Sequence, residues 1–397
     1  MITAFRGPNF SGRSTLMRRQ TFFGEQADAK PKGSRYAYFD LQVPSYFSGI
    51  ASTVAQELHL STAGANSDLQ LIAQDINYAL DFERLHARNP YVLSGGEQSV
   101  LGVLVALLLE PRAIGIDCAL EQLSPQWRNV IIAALSESLE NIDDIYLADN
   151  RLAEIDALLQ KHISFLEMAP QPAPVPTIKS QLPSFDICPC RISVDKLRFR
   201  YQQTQGDILA NLDFEFVPGT IYQLSGPNGI GKSTLSKLLA GILSPSAGRF
   251  LMEGRKQINL TQQPGRYFAY HFQNPDYQLF STSTSREVEI SLPSPSHQLL
   301  EWLDCFGLTQ FAKVHPLDIS YSLRKRLALA ATFAMQRPWL ILDEPSLGQD
   351  RVTTEAICAL CRAYVARGAG IIVISHSLQL EQFLGVTKIT LREGRLW

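Results

Sequence analysis

The stretch Gly226-Pro-Asn-Gly-Ile-Gly-Lys-Ser-Thr234 constrains the fold of this chain more than any other feature. It matches the pattern Gly-x-x-x-x-Gly-Lys-Ser/Thr of a phosphate-binding loop. Residues 220–225 before it are apolar-rich, as in a short strand, and residues 235–243 after it have the apolar spacing of a helix. Strand, glycine-rich turn and helix form the context that this loop requires, so the sequence predicts an α/β fold.

Each part of the loop has a chemical role toward a nucleotide. Glycine lets backbone N–H groups approach phosphates without a Cβ in the way, and the helix N-terminus adds a partial positive charge. Lys232 would reach the β- and γ-phosphates, and the Ser233 hydroxyl would hold Mg²⁺. The predicted nucleotide-binding residues of this loop are Gly226, Pro227, Asn228, Gly229, Ile230, Gly231, Lys232, Ser233 and Thr234.

The chain also contains an internal repeat. Residues in the first half recur in the second in the same order and at nearly constant spacing. The matched landmarks are Gly7–Thr15 with Gly226–Thr234, Gln42–Tyr46 with Gln273–Tyr277, Leu93–Gln98 with Ile319–Arg324, Ile114–Asp117 with Leu340–Asp343, and Asp149 with His376. This pattern predicts a duplication, with two α/β domains in tandem.

The repeat sets the predicted domain boundaries. The first domain would span residues 1–167 and lack most of the segment that precedes the phosphate loop in the second. Residues 168–190 include a proline-rich run and would form a semi-extended linker, and residues 191–397 would form the second domain. In each half, strands alternate with helices, and runs such as Trp339–Asp343 are apolar throughout, which is typical of buried parallel strands.

Composition excludes several classes of protein. The 397 residues carry a formal charge of -2, which argues against a broad nucleic-acid surface. The longest apolar run, Val100–Leu109, ends at Glu110-Pro111 and is too short to span a bilayer, which needs about 20 residues. Met1 leads straight into the first loop, so we expect no secretion signal.

The cysteines include two close pairs, Cys188 with Cys190 and Cys358 with Cys361. Either pair could bind a metal or be redox-active. Reduced cytosolic thiols are the favoured interpretation, because one residue separates the first pair and the second lies in an apolar helical pattern.

Together these motifs resemble the ATP-binding cassette (ABC) ATPases, with two cassettes fused in one chain. The resemblance covers nearly the full length and implies two P-loop NTPase domains in a pseudo-twofold, head-to-tail arrangement that needs no homodimer. It also implies ATP and Mg²⁺ as ligands. By resemblance, Tyr201 stacks on adenine, Gln273 contacts Mg²⁺ and the attacking water, Asp343 holds Mg²⁺, Glu344 is the general base, and His376 contacts the γ-phosphate.

Taken alone, these residues have plainer interpretations. Asp343-Glu344 could be an acidic strand end, His376 a core or surface histidine, and Tyr201 a packing residue. Their positions beside a phosphate loop favour the functional interpretation. The resemblance further identifies Ser94, Gly95, Gly96 and Glu97 as the signature that closes over ATP bound to the opposite cassette, and Asp350 as the end of a loop between sites.

The departures from the family pattern fall into two groups. The first half keeps Gly7, Gly12, Ser14, Thr15 and Asp117 but has Arg13 for lysine, Cys118 for glutamate and Asp149 for histidine. In the second half, the signature is replaced by Ser320-Tyr-Ser-Leu323. In a head-to-tail pair, all intact parts belong to one composite site and all altered parts to the other. We expect one hydrolytic and one degenerate site; alternatively, the first half is a relic without nucleotide.

The stretch Phe272–Phe280 is similar to that of cobalt and vitamin importers of the energy-coupling factor type, where it docks a membrane partner. We expect transmembrane subunits to dock near Gln273–Phe280 and Gln42–Phe47, which would hold the chain peripherally at the cytoplasmic face of the membrane. Substrate specificity would lie in those subunits. The alternative is a soluble twin-cassette ATPase acting on ribosomes or nucleic acid. The proline-rich linker and the near-neutral charge favour the importer, with no direct nucleic-acid contact.

Overall fold

The computed structural model forms two compact units, Met1–Val175 and Pro176–Trp397. It describes residues 2–6, 21, 36–41, 47–62, 67–149, 163–167, 177–179, 181–201, 206–227, 229–294, 298–375 and 377–397. Within these ranges, no helix is both long and apolar enough to cross a bilayer.

The first unit contains a parallel sheet with the strand order β2-β3-β4-β1-β5. The strands are β1 Ile2–Arg6, β2 Tyr36–Phe39, β3 Ala113–Asp117, β4 Asp144–Ala148 and β5 Ile163–Glu167. The helices are α1 Val54–Ser61, α2 Ser67–Ala79, α3 Gly95–Leu108 and α4 Pro125–Glu137. Short 3₁₀ helices cover Phe82–Leu85, Pro90–Val92, Ala119–Gln122 and Ser138–Glu140.

Helix α3 is the centre of the first unit's core. It is buried from Gly96 to Leu108 apart from Gln98, as the apolar run in the sequence predicts. A capping box starts the helix. The Ser94 hydroxyl accepts from the backbone N–H of Glu97, whose carboxylate accepts in turn from the backbone N–H of Ser94. The signature segment is thereby fixed at the N-terminus of a rigid, buried helix.

The second unit contains two sheets. An antiparallel sheet has the order β10-β9-β6-β7, and the main sheet has the order β11-β12-β13-β8-β14-β15. The strands are β6 Ile192–Phe199, β7 Leu209–Phe216, β8 Ile221–Ser225, β9 Ala247–Met252, β10 Lys256–Ile258, β11 Phe268–His271, β12 Trp339–Asp343, β13 Gly370–Ile374, β14 Thr387–Arg392 and β15 Arg395–Leu396. The helices are α5 Lys232–Leu239, α6 Thr284–Glu289, α7 Leu299–Cys305, α8 Tyr321–Ala334, α9 Arg351–Val365 and α10 Leu378–Leu384, with 3₁₀ turns at Pro275–Tyr277, Thr309–Phe311 and Pro316–Asp318.

The parallel sheets of the two units have the same strand order. Strands β2, β3, β4, β1 and β5 correspond in turn to β11, β12, β13, β8 and β14. This identity is what the internal repeat predicts. The antiparallel sheet is built from the segments around the second phosphate loop, including the residues before it that the first half lacks.

Residues 181–190 are extended and pack on the second unit. The Phe185 ring lies between Trp302 and Tyr364, and the Arg367 guanidinium lies 4.1 Å from its centroid. The Trp339 indole donates to the carbonyl of Cys190 at 2.8 Å. The end of the proline-rich segment is therefore fastened to this unit.

The six cysteines are free, and the described residues form no cluster of potential metal ligands. Cys358 and Cys361 face the core from α9, and burial raises the pKa of both thiols. These two thiols are therefore poor nucleophiles and metal ligands at neutral pH.

Candidate functional site

The predicted catalytic motifs of the second unit converge at one edge of its main sheet. Parallel strands β11, β12, β13 and β8 lie side by side, so their carboxyl ends meet at the same edge. The residues that follow these strands are the glutamine segment after β11, Glu344 after β12, Ser375 after β13 and Gly226 after β8.

The phosphate loop has a backbone that only glycine can adopt at two key points. Gly226 has φ 140°, and a Cβ there would lie 2.7 Å from the Leu391 carbonyl oxygen. Gly231 has φ 110°, and its Cβ would meet Ile208 at 2.7 Å. The glycines therefore allow close packing of the loop against the sheet. Asn228 lies outside the described residues.

The N-terminus of α5 is shaped to receive an anion. Gly231 is the N-cap and has no side chain to satisfy the first backbone N–H groups. Ser233 is exposed in this first turn. The buried Lys232 ammonium donates to the carbonyls of Gly226 at 2.8 Å and Pro227 at 3.0 Å. A cation and open N–H groups at one loop suit phosphate oxygens.

Two carboxylates lie behind the loop. Asp343 ends β12 and accepts from the Tyr270 hydroxyl at 3.1 Å. Glu344 has φ 46°, a left-handed conformation, and its N–H donates to the carbonyl of Ile374 at 2.8 Å. Its carboxylate accepts from the Ser375 hydroxyl at 2.9 Å. The turn therefore fixes Glu344 from both its backbone and its side chain.

Burial disfavours the charged forms of these side chains, and the two carboxylates repel each other. Burial, followed by the neighbouring charge of Glu344, raises the pKa of Asp343 to about 6. Burial lowers the pKa of Lys232, while Glu344 and Asp343 raise it in part. Buried carboxylates beside an anion-binding loop fit a divalent cation, because Mg²⁺ would neutralise the charge that burial disfavours.

The structure describes two of the three remaining predicted residues, Tyr201 and Gln273. The Tyr201 hydroxyl lies 3.2 Å from the Thr234 hydroxyl, and the Tyr201 ring packs edge-on to Phe199 while remaining 38% exposed. An exposed aromatic face beside the phosphate loop could stack on a base. Gln273 is half-buried, and its carbonyl accepts from Lys325 at 2.5 Å. His376 lies outside the described residues.

The two signature segments differ in the way they pack. A Cβ at Gly96 would lie 2.9 Å from the Gln122 carbonyl oxygen, so α3 needs glycine for packing as well as for any phosphate contact. At the matching position of α8, the Ser322 hydroxyl donates to the Gln349 side chain at 3.1 Å. Ser94 and Ser320 both cap their helices. Tyr321 takes the place of Gly95.

The first unit retains part of the corresponding site. Asp117 is buried and accepts from the Tyr38 hydroxyl at 3.0 Å. Cys118 has φ 58°, and its N–H donates to the carbonyl of Ala148 at 2.6 Å. Gly7, Gly12, Arg13, Ser14 and Thr15 lie outside the described residues.

The strand register corrects one sequence match. Asp117 pairs with Ala148, and Asp343 pairs with Ile374. The residue after each partner is Asp149 in the first unit and Ser375 in the second. Asp149 therefore corresponds to Ser375, and the match with His376 is wrong by one residue. The register is fixed by the pairing of neighbouring strands, which the sequence motifs do not contain.

Sequence reasoning missed four residues, three at the site of the second unit and one at the matching position of the first. Tyr270 and Tyr38 bind the aspartates of their own units, and they recur at matching strand positions, which could have revealed them. Ser375 binds Glu344. Lys325 is a fully buried lysine in α8, and its only sequence signal is a charge next to a long apolar run.

Comparisons with known proteins point to one family. A family model described as ABC transporter matches residues 209–347. The cobalt import ATP-binding protein CbiO of Salmonella typhimurium is 31% identical over 220 residues, which cover 52% of this chain and 79% of that protein. A predicted ABC transporter ATP-binding protein of Methanosarcina acetivorans is 26% identical over 367 residues, or 83% of this chain and 68% of that protein.

The fold of the whole chain also has a solved counterpart. The structure of an RNase-L inhibitor is similar with a TM-score of 0.60 over 100% of this chain and 85% of that one. Its sequence identity is 18%, so this likeness concerns the fold alone.

Proposed function

The chain belongs to the ATP-binding proteins of ABC transporters, a family of ATP-hydrolysing enzymes, and we propose that it energises import of a metal ion or vitamin through separate membrane subunits. The observation that carries the proposal is the set of parts at the edge of the main sheet: the phosphate loop, the Asp343-Glu344 pair and the glutamine segment. The similarity to CbiO, which is named as a cobalt import protein, supports a metal ion or vitamin as the imported substrate.

Each residue of the site would have its own role in hydrolysis. Backbone N–H groups of Gly229–Thr234 and the Lys232 ammonium would hold the triphosphate, and Tyr201 would stack on the base. Ser233, Gln273 and Asp343 would hold Mg²⁺, which neutralises charge on the phosphate oxygens when bound. Glu344 would accept a proton from the attacking water as that water bonds to the γ-phosphorus, and ADP would leave. His376 would contact the γ-phosphate.

The same proposal assigns Ser94, Gly95, Gly96 and Glu97 to the Lys232 site, in a composite site formed by the two halves. Its support is the sorting of intact and altered motifs in the sequence. The Arg13 site would be degenerate, since Cys118 has no carboxylate to act as a base. The assignment predicts that hydrolysis at the Lys232 site depends on Ser94.

The proposed docking surface for a membrane subunit is the segment Gln273–Phe280. Tyr277 and Phe280 are 75% and 79% exposed, which is unusual for large apolar side chains and typical of an interface. In the first half, Phe47 is buried and packs edge-on to Tyr91 at 6.0 Å. Phe47 therefore offers no exposed ring, residues 42–46 of that predicted segment lie outside the described residues, and the proposal rests on the second-half segment.

The test is membrane association in cells that contain the partner subunits. We expect a double variant, Tyr277→Ser with Phe280→Asp, to lose most sedimentation with membranes while the purified protein keeps its ATPase activity. Trp397→Ser is the matched control, because Trp397 is also a large side chain, 74% exposed and outside the segment. Unchanged sedimentation of the double variant, or co-sedimentation of the wild type with ribosomes, would instead favour the soluble twin-cassette alternative.

A further inference from the structure

Lys325 is a fully buried lysine in α8, two residues after the altered signature. Its ammonium donates to two consecutive backbone carbonyls, those of Phe272 at 3.2 Å and Gln273 at 2.5 Å. A buried ammonium is unfavourable unless its N–H groups find acceptors, so these bonds are strong constraints on both partners. Lys325 thereby joins α8 to the start of the glutamine loop, which we define as residues 272–278.

Two other side chains join the same elements. The Arg324 guanidinium pairs with Asp276 at 3.2 Å. The Gln278 amide donates to the carbonyl of Ala328 at 2.9 Å, and its oxygen accepts from the N–H of Phe272 at 3.1 Å. The clasp, which we define as Gln278, Arg324 and Lys325, therefore holds the loop at its start, middle and end.

The matching helix of the first unit carries no cation at these positions. Gln98 and Ser99 stand where the second unit has Arg324 and Lys325. The Ser99 hydroxyl donates to the carbonyls of Ala119 at 2.8 Å and Gly95 at 3.1 Å. The Gln98 amide reaches the carbonyl of Pro90 at 3.4 Å. The basic pair thus belongs to the unit that has Glu344, although the signature of that unit is altered.

The charge of Lys325 also bears on the carboxylates. Burial lowers the pKa of Lys325 to about 7, and the nearby Asp343 and Glu344 raise it in part. In return, Lys325 counteracts the rise in the pKa of Asp343. Lys325 therefore holds the loop by hydrogen bonds and interacts electrostatically with the acidic pair that the proposed hydrolysis uses.

We propose that Lys325 is a positioning residue for ATP hydrolysis and that the clasp acts by fixing the backbone from which Gln273 projects. Helix α8 would then serve the nucleotide of its own unit through the glutamine loop, independently of its altered signature. This inference rests on the proposed function, in which Gln273 contacts Mg²⁺ and the attacking water. Small displacements of such a group reduce the rate strongly, because attack needs close alignment.

The first test measures the loop without nucleotide. We expect Lys325→Met to increase amide hydrogen exchange in a peptide covering residues 272–280, because methionine is unbranched and nearly as long as lysine but donates no hydrogen bond. Lys256→Met is the control, since Lys256 is exposed on β10, and it should leave this exchange unchanged. Unchanged exchange in a folded Lys325→Met protein would overturn the clasp.

The second test measures coupling to Gln273. We expect Lys325→Met to lower kcat by ~10-fold with little change in ATP affinity. If Lys325 acts through Gln273, adding Lys325→Met to Gln273→Ala should lower kcat by less than ~2-fold further. If the kcat of the double variant falls by the product of the two single losses, Lys325 has a general structural role and the proposal is overturned.

A second variant tests the clasp if Lys325→Met folds poorly. Gln278→Met removes the clasp from the loop side, at a half-buried position, and should give the same two results. Different results would refute the clasp and the proposed function. Activity that persists in Glu344→Gln would refute the hydrolytic assignment and leave the exchange result unaffected, whereas unchanged exchange would refute the clasp alone.

Discussion

The turns after β3 and β12 have nearly the same backbone and different chemistry. Cys118 and Glu344 have φ 58° and 46°, and each donates its N–H to a carbonyl at the end of the adjacent strand. The preceding aspartates each accept from a tyrosine, at 3.0 and 3.1 Å. A left-handed non-glycine residue costs on the order of 1–3 kcal/mol and persists only where its surroundings enforce it.

The comparison separates features that the two units share from features in which they differ. The strained turn and the tyrosine–aspartate bond occur in both units, so they cannot account for the proposed difference in hydrolysis between them. The units differ in the side chains that this scaffold presents. Glu344 receives a hydrogen bond from Ser375, whereas Cys118 has the acidic Asp149 at the position that corresponds to Ser375.

The largest effect should come from removing the one carboxylate that distinguishes the turns. We expect Glu344→Gln to lower turnover by ~10²–10⁴-fold, the usual loss when a general base is removed. Glutamine keeps an oxygen that can accept from Ser375, so the fold and ATP binding should persist. The measurement is steady-state ATPase activity, with nucleotide binding as the control. Turnover above a tenth of the wild-type rate would mean that Glu344 is not the sole base.

A smaller effect should distinguish the two signature helices. We expect Ser94→Arg to lower hydrolysis by at least ~10-fold, because a bulky cation would hinder closure over the γ-phosphate of the Lys232 site. Ser320→Arg should do much less, although Ser320 and Lys232 belong to the same unit. The pair is well matched, since each serine is the N-cap of its helix.

Both signature variants should first be shown to fold and to bind ATP. A greater loss in Ser320→Arg would overturn the composite-site proposal and favour hydrolysis within one unit. Equal losses would mean that the two nucleotide sites are tightly coupled.

Sequence alone predicted the features that are encoded locally. The phosphate loop and the acidic strand end are each contiguous, and the repeat predicted the shared strand order. The clasp could not be predicted in this way, because Gln278 and Ala328 meet only through packing of the loop on α8. The match of Asp149 with His376 failed because register is set by hydrogen bonds between strands. Phe47 is buried in the core of the first unit and packs on Tyr91, and neither contact can be read from the motif.

The smallest expected effect is that repairing the first half restores no ATPase activity. In the Glu344→Gln background, Arg13→Lys and Cys118→Glu supply the missing lysine and glutamate of the first half, and we expect no return of ATPase activity. The glutamate at position 118 would lie beside the buried Asp149, where its counterpart has a serine hydroxyl. Two close buried carboxylates cannot both ionise readily, so the introduced base would be held protonated.

Adding Asp149→Ser tests this explanation directly, because it restores the hydroxyl that accompanies Glu344. Tyr321 would still occupy the place of a glycine in the proposed partner signature, so we expect this triple change to raise the rate only slightly above the Glu344→Gln background. The measurement is again steady-state hydrolysis, compared with the same changes in the wild-type background to show that the protein folds. Recovery to the wild-type rate with the two original changes would show that Asp149 and Tyr321 are harmless. Recovery only after Asp149→Ser would assign the defect of the first half to that single carboxylate.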